Sequence, residues 1–236
     1  MKKTTVLLIV LCMGISLNAQ FSSYLEKGKS GLGINVIGET SGYMREFRGL
    51  GAEAGYSFKG KLDLNAMYIA DSYDEAALDL LSDKASSGYY EASVTYWMLR
   101  DQVNPEIAFN LGLFSGIAGS IYKDYLYFDD EDADIAELQS WMDGFLGAAA
   151  SMNFKLNRSW YVQPSLKVRY EIGNSKAFDN DIVKTTYSNG VTQDIGLYLF
   201  NRMNNGNTFL VGTNIYSDTY SGGNYYQLSV GYVFGL

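Results

Sequence analysis

The 236-residue chain contains no histidine, one cysteine and two prolines. Each scarcity excludes something. Without histidine there is no imidazole to serve as a general base near neutral pH, and the commonest metal ligand is missing. A single cysteine, Cys12, leaves no intrachain disulfide and no thiolate-built metal site. Leu11 stands where an acylated cysteine needs a small residue before it, which argues against lipidation. Beyond residue 19 no apolar run reaches the roughly eighteen residues of a membrane-spanning helix. No cofactor is implied by any motif.

The N-terminus reads as a secretory signal. Lys2 and Lys3 form a positive region, Val6–Ile15 an apolar stretch and Ser16–Ala19 a cleavage region. Residues 1–19 are therefore expected to be removed before Gln20. Without Lys2 and Lys3, 16 basic residues face 26 acidic ones, a net charge of −10. That balance opposes nucleic-acid binding, which needs a basic footprint.

What is present is alternation. Twenty tyrosines, twelve phenylalanines and twenty-five glycines favour strands over helices. After a short periplasmic lead-in at 20–29, five pairs of alternating apolar/polar segments follow over 30–236, joined by connections that are alternately long and short. Leu32, Ile34 and Val36 share one face of the first segment; Leu50, Ala52, Ala54, Tyr56 and Phe58 share one face of the second. Lys59-Gly60-Lys61, Arg100–Asn104, Asn157–Ser159 and Asn204-Asn205-Gly206 read as the short turns, with Pro105 opening the fifth strand. Pro164, inside the seventh, predicts a bulge or a local break. Such segments, about nine to eleven residues each, suit a tilted crossing of a bilayer. The expectation is an all-β, closed, antiparallel up-and-down transmembrane β-barrel of ten strands, with eight or twelve as the alternatives if a weak segment is misread.

That register has consequences. On the lipid face it places Phe58, Tyr96, Phe109, Phe154, Trp160, Phe209 and Phe234 at the short-turn end, and Tyr68, Tyr90, Tyr170 and Tyr226 at the other. Two aromatic girdles are what the two membrane interfaces favour. Pointing inward are Glu53, Asp63, Glu91, Lys167, Arg169, Glu171 and Asp194, expected to form a paired network in the lumen. Inward glycines, among them Gly33, Gly55, Gly112 and Gly196, make room there for Tyr89, Trp97, Tyr161 and Arg169, or for a narrow polar pathway.

The pattern over Ser30–Leu236 resembles the outer-membrane β-barrel superfamily, which includes the small porin-like and OmpA-type barrels. The Leu17-Asn18-Ala19-Gln20 end of the signal resembles those common in Bacteroidetes. The terminal Tyr226–Phe234 strand is similar to the signal read by the barrel-assembly machinery, although Gly235 and Leu236 follow Phe234. The resemblance implies residence in the outer membrane of a Gram-negative cell envelope, with lipid and the assembly machinery as partners. Enzymes among such barrels generally use histidine, so its absence here implies a non-enzymatic role.

The loops carry weaker signals. Ser72-Tyr73-Asp74-Glu75 has capping-box spacing ahead of a short helix at 76–81, and a helical turn is expected at Ile135–Trp141. Asp129, Asp130, Glu131, Asp132 and Asp134 form the densest acidic run, a solvated loop or a Ca²⁺ site of clustered hard ligands. The functional expectation is a structural or surface-binding barrel acting through its extracellular loops, the alternative being a narrow channel for small solutes. No solute or extracellular partner is legible.

Overall fold

A computed structural model of the chain describes residues 21–41, 48–72, 86–123, 126–128, 135–179, 182–217 and 224–236. The expected signal peptide, the helix expected at 76–81 and the acidic run at 129–134 lie outside the described residues.

Alternation decides which face of each strand turns outward. In β1 (Gly31–Ser41), Leu32, Ile34 and Val36 are 44%, 47% and 55% exposed, while the intervening Gly33, Asn35 and Ile37 are buried. The same two-residue period runs through β2 (Arg48–Phe58), β3 (Leu62–Ser72), β4 (Ser86–Asn104) and β5 (Ile107–Lys123). It continues in β7 (Ile135–Lys155), β8 (Trp160–Asp179), β9 (Ile182–Arg202), β10 (Thr208–Ser217) and β11 (Asn224–Gly235). A three-residue β6 (Leu126–Phe128) pairs only with the start of β7. Neighbours in sequence pair antiparallel, and β5 pairs β7 while β1 pairs β11, so ten strands close on themselves without a free edge.

The exposed face is an apolar belt, with Leu50, Leu64, Leu146, Ile195 and Leu228 all at least half exposed. A surface of this composition is tolerated in lipid and not in water. Tyr68 and Tyr170 are exposed at one margin, and Phe58, Tyr96 and Phe234 at the other.

The short turns have turn chemistry. Lys59 and Gly60 both adopt positive φ, 50° and 60°, as a type I′ turn requires. Gly206, φ 85°, closes the β9–β10 connection. Between β4 and β5 the sequence expectation fails by four residues: β4 continues through Arg100–Asn104, the turn is Pro105-Glu106, and β5 begins at Ile107. Two β-bulges, after Trp97 and after Gln102, carry the strand onward. The first makes Met98 and Leu99 both face outward and reverses the phase, so that Arg100 turns into the lumen.

Pro164 produces no bulge. The β8–β9 ladder runs unbroken through the pair Pro164↔Leu197. Towards β7 the ladder passes from Ser151↔Ser165 to Phe154↔Val162 in unchanged register, with the rungs between them missing. The break is confined to the side where the ring nitrogen has no hydrogen to give.

Two other expectations are overturned. Ile135–Trp141 is strand, not a helical turn, and Asn174–Asn189 is largely strand rather than loop. The β8–β9 hairpin continues its ladder to Asp179↔Ile182, whereas β9 meets β10 only from Gln193↔Ser217 onward. Residues 182–192 are therefore paired to β8 alone among the described residues, and β7–β9 form a wall of 20 or 21 residues per strand against 10 to 12 in β10, β11 and β1–β3. No loop helix occurs among the described residues. The one helical turn, α1 (Phe21–Tyr24), lies in the segment expected to be a periplasmic lead-in, and it is inside the barrel.

Candidate functional site

The lumen is the one place where the strands bring chemical groups together, and it is filled in two ways. At the short-turn end it holds a piece of chain. Phe21, Ser22, Ser23, Tyr24 and Leu25 are all buried. Tyr24 packs edge-on to Phe200 at 5.3 Å and tilted to Tyr198 at 5.6 Å, and Phe200 in turn stacks on Tyr161 at 5.0 Å. Leu210 and Val233 complete this cluster. The glycines that sequence reasoning assigned to Tyr89, Trp97, Tyr161 and Arg169 partly serve other groups: Gly33 and Gly55 make room for Phe21, whereas Gly112 does lie against Trp97.

The polar groups of the inserted segment are met by strand side chains. Asp63 accepts from the Ser22 amide at 3.1 Å, from the Ser22 hydroxyl, and from Trp97 Nε1 at 2.9 Å. Asn153 Nδ2 donates to the Ser23 carbonyl at 2.9 Å. Arg202 Nε donates to the Tyr24 carbonyl at 2.7 Å and Nη2 to that of Leu25 at 3.0 Å, while its plane lies over Tyr161 at 4.7 Å. Arg100 adds Nη2 to the same Leu25 carbonyl at 3.0 Å and Nη1 to Gly60 at 2.8 Å, tying the segment to the β2–β3 turn. Gln163 bridges Asn153 (2.6 Å) and Ser151 (3.4 Å).

Further in, the strands fill the space themselves. Arg169 is the hub: Nη1 meets Glu91 Oε2 at 2.7 Å, Nε meets Glu171 Oε1 at 2.5 Å, and Nη2 donates to Tyr216 at 3.3 Å. Its guanidinium lies over the Phe145 ring at 4.8 Å. Glu91 also accepts from Tyr89, and Glu171 from Thr192, each at 2.7 Å. Arg169, Glu91 and Glu171 are 5%, 5% and 2% exposed, so each charge depends on the others. Lys167 stands directly across from Asp194 on the neighbouring strand, and Asp194 accepts from Asn214 at 2.9 Å. Glu53 accepts from its cross-strand neighbour Asn35 at 3.0 Å. Trp97, Phe114, Ala118, Phe145 and Ala149 pack beside this network.

All seven inward residues read from the sequence are buried in the lumen, but not as one network. Glu91, Arg169 and Glu171 converge, Lys167 and Asp194 pair, Glu53 joins Asn35, and Asp63 belongs with the inserted segment. Sequence reasoning missed Arg100, Arg202, Asp143 and Asp71. Arg202 continues the inward parity of β9 by two residues and Asp143 that of β7, so longer strands would have found both. Arg100 required the bulge. Among the described residues, the buried acids Glu53, Asp63, Asp71, Glu91, Asp143, Glu171 and Asp194 outnumber the buried bases Lys167 and Arg169. No group of three or more metal-ligating side chains occurs among the described residues.

No protein-family model and no curated protein matches the chain. Solved structures similar to it include three outer-membrane proteins. The N-terminal β-barrel domain of OprF from Pseudomonas aeruginosa is 11% identical, with 86% of this chain and 97% of that one covered, at a TM-score of 0.35. The outer membrane protease OmpT of Escherichia coli is 8% identical, with 94% and 99% covered, at 0.42. The outer membrane protein OpdK of Pseudomonas aeruginosa is 9% identical, with 90% and 100% covered, at 0.19. Likeness at this level leaves the assignment to the barrel's own geometry: complete closure, an even strand number, an apolar outer belt with aromatic margins and a polar, charged interior. The chain is a ten-stranded β-barrel of the outer-membrane type, and the outer membrane is where it resides.

Proposed function

We propose that this barrel is a non-conducting, non-enzymatic membrane protein that works through what it displays outside the cell. The observation that carries this reading is the occupied lumen. An inserted segment fills one end, and a buried ionic and aromatic packing fills the rest. A ten-stranded barrel is only slightly wider than the eight-stranded kind that side chains fill.

Catalysis has little to draw on. With no histidine, a proton-transfer mechanism would fall to carboxylates, and Glu91 and Glu171 are both neutralised by Arg169. What remains available to a partner is the β8–β9 ribbon. Above Thr192 both of its faces are open, and Val183 and Tyr187 are 55% and 81% exposed beside Lys184, Thr185 and Thr186. Exposed apolar and aromatic groups set among hydroxyls on a strand suit contact with another protein or a cell-surface polymer.

The test is conductance of the purified barrel in a planar bilayer. A closed barrel gives no steady current, and channels of porin size would overturn the reading. The excess of buried acids favours a second reading only in the form of a narrow, cation-selective pathway, which the same recording would reveal by its reversal potential in a salt gradient.

A further inference from the structure

The inserted segment enters the lumen with its N-terminal end leading. Leu25 sits at the mouth, against Gly31, the first residue of β1, and its carbonyl is held by Arg100 and Arg202. Phe21 lies farther in. A Cβ on Gly33 or Gly55 would overlap its ring, so the two glycines shape a pocket for it. Gly31 and Gly33 are separated by about 7 Å of strand. Beyond Phe21 the interior is packed with wall side chains, including Asn35, Glu53 and Tyr198, all buried. A polypeptide continuing past Phe21 in the same direction would have no room.

The segment is also held in the manner of a ligand. A four-residue helical turn is far below the length at which a helix persists alone. Its carbonyls at Ser23, Tyr24 and Leu25 are satisfied by Asn153, Arg202, Thr208 and Arg100, side chains of four different strands. Residues 26–29, which link it to β1, are exposed.

We propose that the short-turn half of the lumen is a peptide-binding site for Phe21–Leu25, and that the segment seats only after the chain has been cut just ahead of it. Hydrolysis of the Ala19–Gln20 bond by a signal peptidase consumes one water and leaves a carboxylate on Ala19 and an ammonium on Gln20. The leading end is then short enough to enter. It also carries a new positive charge one residue ahead of Phe21, towards a lumen in which buried carboxylates outnumber buried cations. Processing thereby closes the mouth of the barrel. The seating step holds whether or not the finished barrel conducts.

The test uses the whole barrel folded in detergent at three lengths, beginning at Met1, Gln20 or Ser30, with folding verified by heat-dependent gel migration. Each carries S57C, because Ser57 is buried and its hydroxyl lies 2.6 Å from that of Ser22. The longest form also carries C12S, so that the probe thiol is unique. A water-soluble maleimide then reports whether position 57 is covered. The form beginning at Gln20 is expected to react at least about tenfold more slowly than the one beginning at Ser30, and the form beginning at Met1 as fast as the latter. A synthetic Phe-Ser-Ser-Tyr-Leu peptide should protect the form beginning at Ser30, and R202A should weaken that protection by about tenfold or more. Equal protection of the two longer forms would overturn the dependence on cleavage. Rapid labelling of the Gln20 form, protection of the Ser30 form without peptide, or failure of the peptide to protect would overturn the binding site.

Discussion

The two halves of the lumen solve one problem with different materials. At the short-turn end the space is filled by backbone, a five-residue segment whose carbonyls are capped by arginines and amides. Farther in it is filled by side chains of the wall, with Arg169 balancing two carboxylates. The first arrangement uses neutral acceptors and aromatic packing, so loss of one contact leaves a polar group near the mouth, where water can reach it. The second buries charge, so loss of one member strands the others. The inner half should therefore be the more sensitive to single substitutions.

The largest expected effect tests that contrast directly. Replacing Arg169 by Met leaves Glu91 and Glu171 buried without their cation and should cost about 3–5 kcal/mol, read as a fall in the urea midpoint of the barrel in detergent. Adding E91Q and E171Q should recover most of the loss. If Arg169→Met alone is tolerated, water reaches the network and the lumen is more open than its burial indicates.

In the outer half, Gly33→Val should drive Phe21 from its pocket at a cost of about 1–3 kcal/mol to docking. The effect should appear as faster amide exchange in residues 21–25 with the strands still protected. Loss of strand protection as well would mean that segment and wall form one cooperative unit.

Arg202→Met removes donors to the Tyr24 and Leu25 carbonyls while keeping an apolar stem, and should loosen the segment by about 1.5–3 kcal/mol in the same exchange measurement. The smallest effect belongs outside the lumen. Tyr187→Ser on the raised ribbon should change the unfolding midpoint by no more than about 0.5 kcal/mol, because the side chain is 81% exposed. A larger change would show that the ribbon packs against something.

How much was legible beforehand differs by face. Leu32, Ile34, Val36 and their counterparts announced the lipid face because alternation needs only nearest neighbours in sequence. Inward Glu91, Lys167 and Arg169 followed by parity. Parity failed where the ladder is irregular: the bulge after Trp97 turned Arg100 inward, and no local signal marks a bulge there. The loops expected around 122–141 and 174–189 proved to be mostly strand, since tall hairpins gain pairing from neighbours that lie far from any local turn signal. The lead-in was misplaced because Phe21-Ser22-Ser23-Tyr24-Leu25 has no feature of its own that requires burial in a barrel.

The sequence by itself determined the signal-like start, the ten crossings, the outward belt and the exclusion of histidine chemistry, because each depends on composition or on a period of two residues. Only closure of the barrel decided which inward groups meet. Arg169 and Glu91 are 78 residues apart, Ser22 and Asp63 41, and Arg202 and Tyr24 178. Contacts at such separations are set by how each strand is staggered against the next around the whole ring, and no short stretch of chain carries that information.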